Sequence, residues 1–309
     1  MRIAVLTRHF LRSAGGAENY AVNVVEHLAQ RHEVHVFCQQ TDQPVAAAQY
    51  HHVGVLCKRP RWLNQIYYAW VTWCLTRKGF DVVHSHEHVF HGQVQTLHVQ
   101  PVAQGIWGQR TGWRRWLRWL AVLTSPRRWT YLWLEAARMA VKPGKSLVFV
   151  SAPLQQQFER YYPGIAGISH VISPGVEMQA MGADRSTLRQ QLGWQSDATH
   201  LLLIGHDFQR KGLGVALQAL TQLPKQVMLM VVGHSRHLIH FQDQVQTLGL
   251  QGRVVFLGAR SDVRMLMNAA DLLVHPTLED SFGMVVLEAM AQGLPAVVSA
   301  APFCGLSAD

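Results

Sequence analysis

The run Asp271-Leu272-Leu273-Val274-His275-Pro276, and the run Glu279-Asp280-Ser281-Phe282-Gly283-Met284-Val285-Val286-Leu287-Glu288 that follows it, read as strand, turn and helix in succession. The first is a short apolar stretch stopped by proline. From Phe282 to Gln292 an apolar face recurs at helical spacing, and Gly293-Leu294-Pro295 ends it. A helix opening straight after a strand leaves its first N–H groups without intrahelical partners and its positive dipole end outward, a setting that suits a diphosphate. Gly283 admits a ligand close to the backbone, and the amides of Met284 and Val285 stand in the first turn. Glu288, about a turn and a half further in, has the reach to accept two hydrogen bonds from a vicinal diol such as a ribose 2′,3′-pair. Asp280 stands ahead of the helix, where a sugar beyond the diphosphate would lie. The plain structural alternative is an amphipathic helix capped by Asp280 or Ser281.

The same alternation runs outward through the chain. Arg2 to Thr7 reads as a buried first strand, Gly15-Gly16 lies in the loop after it, a helical pattern runs from about Ala17 to Arg31, and Glu33 to Cys38 is a second strand. Asp81 to His86, Gln93 to His98 and Ser146 to Val150 continue the series. The stretch from Val171 to about Thr199 opens on Ile172-Ser173-Pro174-Gly175 and turns polar, which reads as a connection between a first domain, 1–172, and a second, 173–309. The second series has strands at His200 to Ile204, Val227 to Val232, Val254 to Leu257, Leu272 to His275 and Ala296 to Ser299, with helices near 212–222, 237–248, 261–269 and 283–292. Strand and helix alternating in this way predict an α/β fold of parallel sheets covered by helices, in two Rossmann-like domains.

Composition narrows the partners. The chain has 309 residues, 49% of them hydrophobic, enough to bury two cores. It has no run of about eighteen uncharged apolar residues, and Met1 to Thr7 is strand-like rather than a secretion signal, so the protein is expected in the cytoplasm. Cys38, Cys57, Cys74 and Cys304 stand far apart, which predicts free thiols rather than a disulfide framework or a zinc site. A formal net charge of +9 calls for an anionic partner: nucleotide, phosphorylated glycan, acidic lipid or nucleic acid. From Trp107 to Trp133 lie six tryptophans, six arginines and no acidic residue. Trp113, Arg114, Arg115, Trp116, Arg118 and Trp119 at its centre suit an anionic membrane surface, because indoles favour the headgroup zone and arginines attract anionic lipid. A packed or solvated face remains the alternative. No nucleic-acid motif accompanies the segment, so no nucleic-acid partner is expected.

Three further sites carry chemistry. Phe208-Gln209-Arg210-Lys211-Gly212 follows a strand and opens a helix, so Arg210 and Lys211 are placed to clamp a diphosphate and offset charge on a departing group. Gly15 and Gly16 allow close backbone approach to an anion or sugar, or simply make a turn. Histidines gather at His84, His86, His88, His91 and His98. Alternate strand positions share a face, so His84, His86 and His88 could converge on a metal, but no second ligand cluster accompanies them and no metal is expected.

Asp280-x(7)-Glu288, continued by Ala289-Met290-Ala291-Gln292-Gly293-Leu294-Pro295, resembles the E-x(7)-E signature of the family 4 retaining glycosyltransferases. Asp280 departs from the usual glutamate, and neighbouring Glu279 could substitute for it. The resemblance implies the GT-B architecture, two Rossmann-like domains facing a cleft. It also implies a nucleotide-sugar donor, with Glu288 on the ribose, Asp280 on the transferred sugar, Lys211, Gly15 and Gly16 toward the diphosphate, and Phe282, Gly283, Met284 and Val285 lining the donor; the family's arginine five residues before the lysine is His206 here, and Arg210 beside Lys211 substitutes for it. His98, in Gln95-Thr96-Leu97-His98, resembles the family's active-site histidine that contacts the donor sugar. Gly205-His206-Asp207-Phe208-Gln209-Arg210-Lys211-Gly212, Arg260-Ser261-Asp262-Val263, Cys304-Gly305 and the basic aromatic insertion resemble most the lipopolysaccharide core glucosyltransferases of that family. That likeness implies UDP-glucose as donor, no cofactor beyond it, an inner-core heptose of the lipid-linked core as acceptor, and work at the inner face of the cytoplasmic membrane. Relatives continue for several tens of residues beyond the position of Asp309, so the chain reads as C-terminally truncated; the alternatives are an inactive sugar-nucleotide binder and a family 4 transferase acting on another glycan or lipid acceptor.

Overall fold

The computed structural model describes residues 1–11, 15–42, 44–107, 122, 124–178 and 184–308. The chain divides into two compact units, Met1–Ser173 and Pro174–Asp309.

In the first unit the strands are β1 (Arg2–Leu6), β2 (His9–Phe10), β3 (Glu33–Cys38), β4 (Gln40–Thr41), β5 (Ala48–His52), β6 (Val82–Ser85), β7 (Val94–Leu97), β8 (Ser146–Phe149) and β9 (Ser169–Val171). Seven of them form one parallel sheet in the order β5-β3-β1-β6-β7-β8-β9, and β2 pairs with β4 separately. The helices are α1 (Gly16–Ala29), α2 (Arg61–Thr76), α3 (Val102–Trp107), α4 (Pro126–Met139) and α5 (Ala152–Tyr161). Successive side chains of a strand point to opposite faces. Ile3, Val5, Val34 and Val36 therefore pack with Val22 and Val25 of α1, while Ala4, Leu6 and Phe37 pack with Tyr68 of α2 and Leu134 of α4.

The second unit holds β10 (Thr199–Ile204), β11 (Val227–Val232), β12 (Val254–Gly258), β13 (Leu272–His275) and β14 (Ala296–Val298), parallel throughout in the order β12-β11-β10-β13-β14. Leu202, Met230 and Leu273 face α6 (Arg185–Leu192), α9 (Val263–Ala269) and α10 (Met284–Ala291). Leu201, Leu203 and Val231 face α7 (Leu213–Thr221) and α8 (Leu238–Thr247). The strands read as near-continuous apolar runs because both faces are covered.

Two differences from the sequence reading have physical causes. The polar stretch taken as a connector contains α6, whose Asp184 cap accepts from the Ser186 amide at 2.8 Å. Its Arg189 is tied at 2.6 Å to Asp271, a partner far along the chain, so no local apolar period marks it. Helix α2 escaped notice because its amphipathicity is inverted: Asn64, Gln65, Thr72 and Thr76 face inward, while Trp70 and Trp73 are exposed. All four cysteines are free thiols, as expected.

Candidate active site

The strand order of the second unit reverses between β10 and β13, the place where open parallel sheets bind ligands beyond their carboxyl ends. Both loops that carry the sequence motifs leave the sheet there. In the loop after β10, Phe208 is fully buried against the rings of Phe241 and Phe256, which anchors the turn and leaves Arg210 exposed beside Lys211. The Arg210 carbonyl accepts from the Leu278 amide at 2.8 Å and the Thr277 hydroxyl at 3.1 Å, so the two loops are tied to each other. They also touch at Gly212, which caps α7 at φ 75°. A Cβ there would come within 1.8 Å of the Pro276 carbonyl oxygen, so only glycine fits.

Lys211 and Asp280, 69 positions apart in sequence, form an ion pair of 2.5 Å. His275, buried at the end of β13, approaches the same carboxylate oxygen through Nε2 at 3.0 Å. Burial would raise the Asp280 carboxyl, but the hydrogen bond from His275 and the charge of Lys211 overcome this and hold it well below the usual carboxylate range. The backbone of Asp280 is clamped as well: its amide donates to Phe303 at 2.7 Å and its carbonyl accepts from Gly305 at 3.0 Å. Glu279, beside it, is half-buried.

Helix α10 is capped by Gly283 at φ 100°, with no side chain satisfying its first amides, Met284 and Val285. Phe282 is buried at 4% exposure, which leaves its backbone rather than its ring toward the opening. Glu288 is half-buried and makes no hydrogen bond among the described residues. Burial raises its pKa, with the charge of Arg264 pulling the other way. A partly dry carboxylate with open acceptor sites is what a vicinal diol requires.

In the first unit the order reverses between β1 and β6. Gly15 precedes α1, and Gly16 begins it. Tyr20 of that helix packs edge-on against His86 and His98, at 5.8 and 5.0 Å between ring centres. His86 Nδ1 lies 3.1 Å from His98 Nε2. Burial, reinforced by Arg138 and His84, pushes His98 down to about 3, so it is neutral under ordinary conditions. His84 is engaged with the Thr96 hydroxyl at 2.7 Å and His88 packs on Tyr131. Among the described residues no three His, Cys, Asp or Glu side chains are arranged to hold a metal.

The sequence reading missed Tyr20 and His275 as members of these sites and considered His86 only as a metal ligand. The one available signal for His275 was its place at the end of the strand that feeds the Asp280 turn. Trp113, Arg114, Arg115, Trp116, Arg118 and Trp119 lie outside the described residues.

Two parallel α/β units, each presenting polar groups where its strand order reverses, define a GT-B glycosyltransferase. The fold superposes with the crystal structure of WaaG, a glycosyltransferase involved in lipopolysaccharide biosynthesis, at a TM-score of 0.85 and 25% identity over 99% of this chain and 82% of that one. The chain belongs to glycosyltransferase family 4: the model of that family matches residues 14–180, and the model for glycosyl transferases group 1 matches residues 184–305. In sequence it is 28% identical over 302 residues to the lipopolysaccharide glucosyltransferase WaaG of Escherichia coli K12, spanning 94% of this chain and 78% of that protein. An uncharacterized glycosyltransferase of Methanocaldococcus jannaschii, MJ1607, is 32% identical over 120 residues, 38% of this chain and 31% of its own length. Anabaena Alr3699/HepE, solved with UDP and glucose, shares the fold at a TM-score of 0.71 and 22% identity, over 100% of this chain and 82% of its own.

Proposed function

We propose that the protein is a retaining hexosyltransferase that moves glucose from UDP-glucose to an inner-core heptose of lipopolysaccharide, as a peripheral protein at the inner face of the cytoplasmic membrane. The observation that carries this reading is the grouping at the carboxyl end of one sheet of Arg210, the Lys211–Asp280 pair, the glycine-capped start of α10 and Glu288, which makes no hydrogen bond among the described residues. These match in chemistry a diphosphate, a hexose and a ribose. The likeness to a lipopolysaccharide glucosyltransferase over 94% of the chain supports the choice of donor and acceptor.

In the mechanism this site suits, the acceptor oxygen attacks the sugar C1 on the face from which UDP departs. The C1–O bond to phosphate breaks, the new glycosidic bond forms on that face, and the acceptor proton passes to a leaving phosphate oxygen. Arg210, Lys211 and the first amides of α10 stabilise charge that grows only as UDP leaves, which is where binding energy lowers the barrier, and no metal is called for. Asp280, with Glu279, fixes the sugar and Glu288 holds the ribose; for His98, Gly15 and Gly16 of the first unit the family resemblance supplies the donor-side roles.

Glu288→Ala is expected to weaken UDP binding by about tenfold to a hundredfold, the value of hydrogen bonds to a charged group. Calorimetry reads this directly, and an unchanged dissociation constant would refute the ribose assignment. Because burial raises Glu288, UDP affinity in the unmodified protein should begin to fall at a higher pH than for an ordinary glutamate, as protonation removes the acceptor. Nucleotide binding without turnover on a deacylated core acceptor would reduce the reading to a binder.

The membrane part of the proposal rests on the surface of α2 and α4. Trp70, Trp129 and Trp133 are about half exposed, and Phe90 bridges Trp73 and Trp133 at 6.2 and 5.8 Å, making one aromatic surface. Arg77 lies over Trp73 at 5.5 Å, and Arg127 is exposed at the start of α4. Among the described residues no helix is long and apolar enough to cross a membrane. A Trp70→Ala, Trp129→Ala, Trp133→Ala variant should lose about tenfold or more of its binding to anionic vesicles in flotation. Equal flotation with neutral and anionic lipid would count against this surface.

A further inference from the structure

We infer that His275 is a positioning residue that holds the Asp280 carboxylate in place while Lys211 moves from it to the donor's phosphates. The inference rests on the reading of Lys211 as a phosphate-binding group.

Lys211 Nζ and His275 Nε2 converge on one oxygen of Asp280, Oδ2, at 2.5 and 3.0 Å, while among the described residues Oδ1 has only a long 3.5 Å contact from the Phe282 amide. The two donors differ in freedom. Lys211 reaches Asp280 from the loop after β10 on an unbranched four-carbon stem and keeps 15% of its side chain exposed, whereas His275 is 1% exposed at the end of a central strand. Its Nδ1 is buried with no partner among the described residues. A bare ring nitrogen facing a carboxylate would set two acceptors against each other, so the ring proton stands on Nε2 and is donated to Asp280. Removing one partner from a largely buried ion pair leaves an uncompensated charge, which is costly. An incoming diphosphate does this when it draws Lys211 away. The second donor keeps the carboxylate satisfied and aimed, so Lys211 can exchange between Asp280 and phosphate without the turn losing its shape. The same hydrogen bond is the foremost of the influences that pull Asp280 down against its burial.

The test is a double-mutant cycle on UDP affinity by calorimetry, using His275→Phe, His275→Gln and Lys211→Ala singly and with His275→Phe in the Lys211→Ala background. His275→Phe should weaken UDP about tenfold, because Asp280 then competes for Lys211 as its sole remaining partner. His275→Gln, which can donate from a similar position, should stay within about threefold. In the Lys211→Ala background His275→Phe should change little, since there is no lysine left to release; such coupling is what a cycle isolates. Additive losses, or a glutamine variant as weak as the phenylalanine one, overturn the inference in favour of a packing role. If Lys211→Ala alone leaves UDP affinity unchanged, the phosphate reading of Lys211 falls, and this inference with it. Nitrogen-15 NMR of the unmodified protein needs no variant to fold: His275 protonated at Nδ1 and bare at Nε2 would also overturn it.

Discussion

Lys211→Ala should lower kcat/KM for sugar transfer by about a hundredfold to a thousandfold, the usual cost of removing one preorganised donor from a site where negative charge develops. The reason is local. Lys211 stands on a turn whose backbone is fixed by the buried Phe208 anchor and by Gly212 against Pro276, and its side chain is only 15% exposed, whereas Arg210 beside it is exposed. A charge in a half-dry site is screened less than one in solvent, so exposed Arg210 replaces only part of the loss. Lys211→Arg should recover only part of the activity, since a planar guanidinium does not occupy the place of a compact ammonium. UDP release in the presence of acceptor is the measurement, with circular dichroism to show that the fold is kept. A rate within threefold of the unmodified enzyme would remove Lys211 from the chemistry.

The second large effect is on stability, and it separates the two units. Burial pushes His84 and His91 down to about 4, His88 and His98 to about 3, and His86 well below the usual imidazole value. All five belong to the first unit. Their folded pKa values lie below the unfolded value of about 6.5, so the unfolded chain takes up protons first and each stabilises the neutral-pH fold. This contribution is intact above about pH 6.5 and is lost as the pH falls from there toward 3–4, at up to about 1.4 kcal/mol per pH unit for each group. With five groups acting together the first unit should unfold cooperatively near about pH 5. In the second unit His200 shares the depression, but Asp184, Asp262, Asp271 and Asp280 are lowered carboxylates, whose stabilisation fades only below the ordinary carboxylate range. Acid unfolding should therefore proceed in two steps. Tryptophan fluorescence tracks the first, because Trp194 is the only one of ten tryptophans outside the first unit. A single transition below pH 4, coincident by fluorescence and circular dichroism, would contradict the account.

The strands and helices that carry the motifs were legible because their apolar residues recur with a local period. β1, β3, β10, β11 and β13 sit within a residue or so of where alternation and burial place them, and α7, α8 and α10 begin at or near the glycines and turns that mark them. Helix α2 was not legible, since a helix that buries Asn64, Gln65 and Thr72 and exposes Trp70 and Trp73 carries a period of the wrong sign. Of the site, Lys211, Asp280 and Glu288 were visible as residue types at fixed spacing from a turn. Their partners were not, because nothing near His275 in sequence states that its ring will meet Asp280, and nothing near Tyr20 states that it will lie on His98.

By itself the sequence determined two parallel α/β units, the turns that open their helices, and the carboxylates and cations mounted on them. Periodicity, proline and glycine act within a few residues and need no knowledge of the rest of the chain. Only the tertiary structure decided which of those groups meet. The return of β13 to the side of β10, after β11 and β12 have been added on the other, brings Lys211 to Asp280 across 69 positions. Strand order is settled by which crossovers bury the most apolar surface on both faces of a sheet, a property of the whole unit that no local pattern contains.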